Sequence, residues 1–268
     1  LQSMVNNVKK VNCDPCGICC LFTFYAILLY SDFVFVKFFV FSTQISVFKL
    51  LNCVLYQTVV ILLTWSHSKA SFSDPGIVPT HKNNSDLRGD TQHSLISPEN
   101  SCRRAEWSVC SKCETYRPPK AHHCRICQRC IRKMDHHCPW INNCVGELNQ
   151  KYFLQFLFYV GVLCLQTLAS ILTEYLKREK HSQSKIIHTV VLLVESLLFG
   201  IFVTAVLTDQ FQAIFNSETN IERHKNTKNT NVRSKRHLLS EVFGKGPLFL
   251  WFLPCRTVDG KRSDNFVV

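Results

Sequence analysis

The sequence predicts an all-α integral membrane protein, with four spanning helices and a compact cysteine-rich domain between the second and third. Three observations carry this. Four apolar runs each approach the roughly 20 residues needed to cross a hydrocarbon core. Most lysines and arginines lie in two stretches, residues 66–151 and the tail from residue 212. Seven of the fifteen cysteines crowd into residues 110–144, together with four histidines.

Composition alone would also fit one large soluble domain, at 46% hydrophobic and 19% charged residues. The hydrophobicity, however, is clustered rather than periodic. A net charge of +12 suits a nucleic-acid binder, but here the basic residues flank apolar runs. Cytosolic loops facing anionic headgroups have that pattern. The lipid bilayer is therefore the expected partner, and nucleic acid is not. No cleavable leader is expected ahead of the first run.

Residues 1–15 read as a cytosolic N-terminus. Cys13, Cys16, Cys19 and Cys20 sit at its junction with the first span, where cysteines are either acylated or packed. The first span covers residues 16–38, with Asp32 and Lys37 near its far end, where snorkelling is cheap. The second covers 45–65, with Lys49 in its first turns. The third covers 152–176 and the fourth 187–211. Glu195, the acid inside the fourth, is a functional candidate by position, and an interhelical hydrogen bond is the expected role.

The run at residues 110–144 reads CSKCETYRPPKAHHCRICQRCIRKMDHHCPWINNC. Pairs spaced CxxC, HCxxCxxC and HHC aim soft ligands from tight turns at one point, as tetrahedral zinc requires. Six cysteines and two histidines give eight ligands, enough for two closed structural sites. Spacing gives this count but not the partition between sites. One cysteine is left over, and a spare thiol beside an Asp-His pair is a candidate nucleophile.

Zinc-spaced thiols point to a reducing compartment. The cysteine-rich domain, residues 107–151, should therefore face the cytosol, as should the linker 66–106. Four spans place both termini on that same side. Helices 1 and 2 then occupy 16–65, helices 3 and 4 occupy 152–211, and residues 212–268 form a cytosolic C-terminal region. Lys177, Arg178, Lys180 and Lys185 fall in the short opposite loop and run against the charge bias without reversing it. Asp74-Pro75-Gly76 has turn chemistry and reads as a chain reversal at the membrane surface. Residues 81–101 read as a flexible linker, and the sequon at Asn83 lies unused within it.

Asp135-His136-His137-Cys138, followed by Pro139, Trp140, Ile141, Asn142, Asn143 and Cys144, resembles the DHHC family of protein S-acyltransferases. The spacing matches across the whole run. Asp74-Pro75-Gly76 and Val242-Phe243-Gly244 match family elements at their own places. The likeness extends from Cys16-Gly17-Ile18-Cys19-Cys20 to the terminal Phe266-Val267-Val268, and is similar to the short Golgi-resident branch.

The resemblance implies two interleaved structural Zn²⁺ sites, Cys110, Cys113, His123 and Cys130 in one, and Cys124, Cys127, His137 and Cys144 in the other. It implies Cys138 as nucleophile, His136 as its base and Asp135 as the group that orients the imidazole, the logic of other acyl transferases. Palmitoyl-CoA is the implied donor, and cysteines of membrane-associated proteins the acceptors. An apolar chain must avoid water, so a cavity among the four helices is its natural place. Leu163 is the candidate floor of that cavity. Arg117, Lys120, Arg125, Arg129, Arg132 and Lys133 are candidates for the phosphates of CoA, or a solvated basic face over anionic lipid. A Golgi membrane is the implied location, with the endoplasmic reticulum as the alternative.

Two positions depart from the family pattern. Thr219-Asn220-Ile221-Glu222 carries asparagine where a second threonine is usual, and Leu238 stands where asparagine is often found. Residues 248–254, with Phe249, Trp251 and Phe252, read as an interfacial anchor. The terminal residues would suit a PDZ groove. Two rival readings stay open at this point. One is a catalytically weak scaffold. The other is a membrane-anchored zinc interaction module of the ubiquitin-ligase type, although its ligand pairs want a longer gap.

Overall fold

The computed structural model describes residues 14–41, 46–79, 107–177, 182–216, 221, 223 and 234–255. The sequence readings on residues 1–13, the linker 81–101, Thr219, Asn220, Glu222 and the C-terminal residues lie outside them. Helix α1 is Pro15–Phe35, continued by a π turn at Val36–Val40, and α2 is Val47–Phe72. Helices α3 and α4 are Gln150–Leu176 and Gln183–Phe215. All four are long and apolar enough to cross a membrane.

Local chemistry sets the helix starts. The Asp14 carboxylate accepts from the backbone N–H groups of Cys16 and Gly17, at 3.3 and 3.1 Å, ahead of Pro15 at the first helical position. Ser46 and Ser182 cap α2 and α4 in the same way. Side-chain oxygens satisfy N–H groups that a helix start leaves without intrahelical partners.

Outward faces are apolar and bare, with Phe22 75% and Phe48 84% exposed, as lipid-facing surface should be. Polar groups turn inward and pair between helices, because hydrocarbon offers them no partner. Gln57 Nε2 donates to Asp32 at 2.5 Å, so Asp32 is held within the bundle rather than snorkelling. Asn52 and Gln166 bond across α2 and α3, and Ser31 Oγ donates to Glu195 at 2.6 Å. Glu195 thus has the interhelical role its position predicts.

Helix bounds differ from the sequence reading by a few residues, and two of the differences have a clear cause. Helix α2 runs seven residues past residue 65, because Ser66, His67 and Ala70 are buried against the cysteine-rich domain. Helix α4 begins near residue 183, so Lys185 is a buried helical residue and not part of the loop. Its ammonium lies 2.9 Å from Glu174, which Lys177 also reaches at 2.9 Å. Paired in this way, these lysines add little positive charge to the far side.

The cysteine-rich domain adds β structure to the helical frame. Strands β1 (Ser108–Cys110) and β2 (Thr115–Arg117) form one antiparallel hairpin. Strands β3 (His122–Cys124) and β4 (Arg129–Ile131) form a second, and β5 (His136–Cys138) and β6 (Asn143–Val145) a third. The Asp74-Pro75-Gly76 turn does more than reverse the chain. Asp74 Oδ1 accepts from the N–H groups of Gly76 and Ile77, and Gly76 adopts φ +105°. The segment then pairs along β4, through Arg132 N–H to the Gly76 carbonyl and Val78 N–H to the Cys130 carbonyl.

Two asparagines fasten the domain to α2. Asn143 Nδ2 lies 3.1 Å from the carbonyls of Ala70, Ser71 and Ser73, and Asn149 Nδ2 donates to Ala70 and Cys144. Carbonyls that the end of a helix leaves open are thereby satisfied. Two short C-terminal helices, α5 (Lys235–Phe243) and α6 (Phe249–Phe252), complete the described fold.

Candidate active site

The hairpins work as clips. After Cys110–Cys113 and after Cys124–Cys127 the next residue is left-handed, Glu114 at φ +53° and Gln128 at φ +54°, which folds each turn back on itself. Cross-strand pairing then sets His123 opposite Cys130, and His137 opposite Cys144. The result is two groups, Cys110, Cys113, His123 and Cys130, and Cys124, Cys127, His137 and Cys144. Within each group the ligand atoms all lie within 4.8 Å of one another.

Both groups fit zinc. Bonds of about 2.3 Å to sulfur and 2.0–2.1 Å to nitrogen place tetrahedral ligands roughly 3.5–3.8 Å apart. Cys124 and Cys144 lie 3.8 and 3.7 Å from His137 Nδ1, Cys127 lies 3.4 Å from Cys144, and Cys130 lies 3.7 Å from Cys113. Burial and the neighbouring thiols push Cys130 up to about 12. Its hydrogen-bonded partners Cys124 and Cys127 push Cys144 up as well. Thiols this crowded ionise together only around a shared cation, which the donor set is built to hold.

Cys138 belongs to neither group. It is buried at the end of β5 and faces the helices. Asp135 and His136 stand beside it. The Asp135 carboxylate is 5% exposed and lies 2.8 Å from His136 Nδ1, which leaves Nε2 for the thiol. Burial alone would lower the imidazole. Its bonds to Asp135 and Cys138 outweigh that and raise it to about 9. The ring is also held edge-on by Phe153, at 5.4 Å between centroids.

Gln210, in the last part of α4, was not singled out in the sequence. Its Nε2 donates to the same Asp135 oxygen at 2.7 Å, and the residue is fully buried. Thr208, Asp209 and Gln212 beside it are polar as well, so nothing in the chain singles it out. His67 of α2 was missed too. Its Nε2 lies 3.1 Å from the carbonyl of Trp140, and its Nδ1 lies 3.1 Å from the Tyr25 hydroxyl. Tyr25, His67 and Trp140 thus tie α1 and α2 to the turn that follows Cys138.

A cavity of about 150 Å³ opens beside Cys138 and His136 and runs down between the helices. Phe24, Tyr56, Trp140, Phe156 and Val203 are among its mostly apolar walls. Along α3 it extends from Phe153 to Thr167, about 21 Å at 1.5 Å per residue. So long and narrow an apolar space suits a hydrocarbon chain far better than water. Leu163, the candidate floor, is one of its lining residues, and Thr167 and the Ser31–Glu195 pair line it as well.

Comparison with known proteins agrees with this geometry. The family model for DHHC palmitoyltransferase matches residues 103–227. Palmitoyltransferase ZDHHC3 of Homo sapiens is 32% identical over 263 residues, covering 94% of this chain and 85% of the relative. Palmitoyltransferase ZDHHC7 of Mus musculus is 35% identical over 251 residues, covering 90% and 79%. Probable protein S-acyltransferase 12 of Arabidopsis thaliana is 34% identical over 215 residues, covering 76% and 72%. The chain belongs to the DHHC palmitoyltransferase family.

The region matched to the DHHC family contains both ligand groups, the Asp135–His136–Cys138 set and the two cavity helices that follow. Of the residues expected to meet CoA, the basic ones stay on the surface of the cysteine-rich domain, outside the cavity walls. Arg117 donates to the Ser108 hydroxyl at 2.8 Å, and Arg132 and Lys133 share Glu147, at 3.5 and 3.4 Å. At one departure from the DHHC pattern, Leu238 is buried with Leu154 and Ile214. A further anchor was not read from the sequence. Lys151, Gln155 and Tyr159, one turn apart on α3, donate to backbone carbonyls of residues 250–255 and hold α6 against the bundle.

Proposed function

We propose that the protein is a protein S-palmitoyltransferase in which Cys138 carries the acyl group between a fatty acyl-CoA and cysteines of membrane-associated proteins. The observation that carries this reading is the position of Cys138, outside both ligand groups, beside the Gln210–Asp135–His136 chain and at the mouth of the apolar cavity. His136 takes the thiol proton, and Asp135 holds the ring with Nε2 free and balances the imidazolium. The thiolate attacks the thioester carbonyl of acyl-CoA, and CoA leaves as a thiol with a proton returned by His136. A substrate thiolate then attacks the acyl-enzyme and restores Cys138. Because CoA leaves before the substrate thiol attacks the acyl-enzyme, the scheme is ping-pong, and exchange between thioesters needs no energy input.

The eight ligands Cys110, Cys113, His123, Cys130, Cys124, Cys127, His137 and Cys144 hold two structural Zn²⁺ ions in this reading. Each set of four is complete in itself, and the metals supply folding free energy to a domain with little core. The hydrocarbon tail lies in the cavity past Leu163. Arg117, Lys120, Arg125 and Arg129 receive the phosphates of CoA at the membrane surface. The active site and both termini face the cytosol, in a Golgi membrane, and a PDZ domain is the proposed partner for the C-terminus.

The test is autoacylation of the purified protein with a labelled palmitoyl-CoA analogue. Wild type, Cys138→Ser and His136→Ala are compared, with zinc measured on each. Hydroxylamine-labile label on wild type, lost in Cys138→Ser with zinc unchanged, is the expected result. An unlabelled wild type that holds its zinc would leave only a scaffold.

A further inference from the structure

We propose that Cys20 is a second acyl-thioester site, filled from Cys138 within the same chain. The inference rests on the acyl-enzyme reading above and adds an acceptor to it. Helix α1 presents Phe24, Ile27, Leu28 and Ser31 to the cavity. Residues 20, 24, 27, 28 and 31 share one helical face, so Cys20 stands on the cavity-facing stripe, one turn above Phe24. Cys138 and Phe24 both line that cavity.

Independent contacts fix the start of α1 against the turn after Cys138. Gly17 is packed so closely on Asn142 that a Cβ there would lie 2.2 Å from its side-chain oxygen. Asp14, the helix cap, has a carboxylate oxygen 3.8 Å from His137 Nε2. Cys16 lies one turn further out and Cys19 points off the stripe, and both are exposed, whereas Cys20 is half-buried. Position thus distinguishes Cys20 from its neighbours.

The step is a thioester exchange and balances without any further reactant. The Cys20 thiol gives its proton to His136, and its sulfur attacks the acyl carbonyl on Cys138. The carbon–sulfur bond to Cys138 breaks, and the departing thiolate recovers the proton from His136. The acyl group is then held at the edge of α1, with lipid beside it. Transfer to this internal acceptor competes with transfer to protein substrates, because both draw on the same acyl-enzyme.

The experiment is site mapping by mass spectrometry after incubating the purified full chain with palmitoyl-CoA and digesting it at acidic pH. Wild type, Cys19→Ser, Cys20→Ser and Cys138→Ser are compared, with zinc measured on each. The expected result is acyl label on both Cys138 and Cys20 in wild type and in Cys19→Ser. In Cys138→Ser, label at Cys20 should fall to background. A mixture of Cys138→Ser chains with an excess of Cys20→Ser chains should leave Cys20 unlabelled, which marks the transfer as internal. Label confined to Cys138 in wild type would overturn the proposal while leaving the enzyme reading intact. Label at Cys20 that persists in Cys138→Ser, or appears in the mixture, would overturn it as well. An unlabelled Cys138 in zinc-replete wild type would instead defeat the underlying enzyme reading.

Discussion

His67 Nε2 lies 3.1 Å from the carbonyl oxygen of Trp140, so a side chain of the second helix holds the turn immediately after Cys138. Phe24 stacks on the imidazole at 4.3 Å, and the Tyr25 hydroxyl meets its other nitrogen, so the ring has little freedom. Replacing His67 by Phe should leave a buried carbonyl without its donor, a loss of about 1–3 kcal/mol. Autoacylation should fall about tenfold or more with zinc retained. His67→Gln, whose amide N–H can reach the same carbonyl, should recover most of the rate. Equal loss in both variants would refute a role through this bond.

Gln210→Leu tests the outer member of the Asp135 chain. Without the amide, the buried carboxylate keeps His136 but loses a donor, and hydrogen bonds to charged groups contribute about 1.5–3 kcal/mol. Acyl-enzyme formation should slow by roughly tenfold or more, measured as single-turnover label on Cys138. Gln210→Glu should be worse than Gln210→Leu, since it sets a second carboxyl against Asp135.

Leu163→Tyr places a larger side chain on the cavity wall two turns below Phe156. Competition between sixteen- and twelve-carbon acyl-CoA donors should shift toward the shorter one. An unchanged ratio would remove Leu163 as a determinant of chain length.

The two ligand groups should respond separately to ligand loss. Cys110→Ala and Cys144→Ala should each lower zinc content from two ions per chain towards one. Cys144→Ala should also abolish autoacylation, because Cys144 is paired across the hairpin with His137, next to both His136 and Cys138. Metal analysis beside the autoacylation assay would check both statements.

Much of this arrangement was legible in the chain. Apolar run length gave the four spans, and CxxC and HHC spacing gave eight ligands and one spare thiol. Partition of the ligands followed from family likeness and not from spacing, because it depends on which hairpin faces which. Cross-strand pairs such as His123 with Cys130 exist only after folding. Gln210 and His67 escaped notice for a similar reason. Each lies among other polar residues near the end of an apolar helix, and nothing in the sequence names Asp135 or Trp140 as its partner. Asp32 was misread as snorkelling because its partner, Gln57, lies on another helix. Helix α2 ran past its expected end and α4 began early because Ser66 and His67 are buried by the cysteine-rich domain and Lys185 pairs with Glu174 of α3, contacts that no hydropathy pattern contains.

The capping of α2 by Asn143 also has a place in time. The Ala70 carbonyl is made 73 residues before the asparagine that satisfies it, a delay of several seconds at about 5–20 residues per second. During synthesis the second helix therefore enters the bilayer with its C-terminal end unfinished. Closure comes only when the last ligand hairpin emerges and folds back onto it. Until then the Ala70 carbonyl lacks the donors that the folded domain supplies.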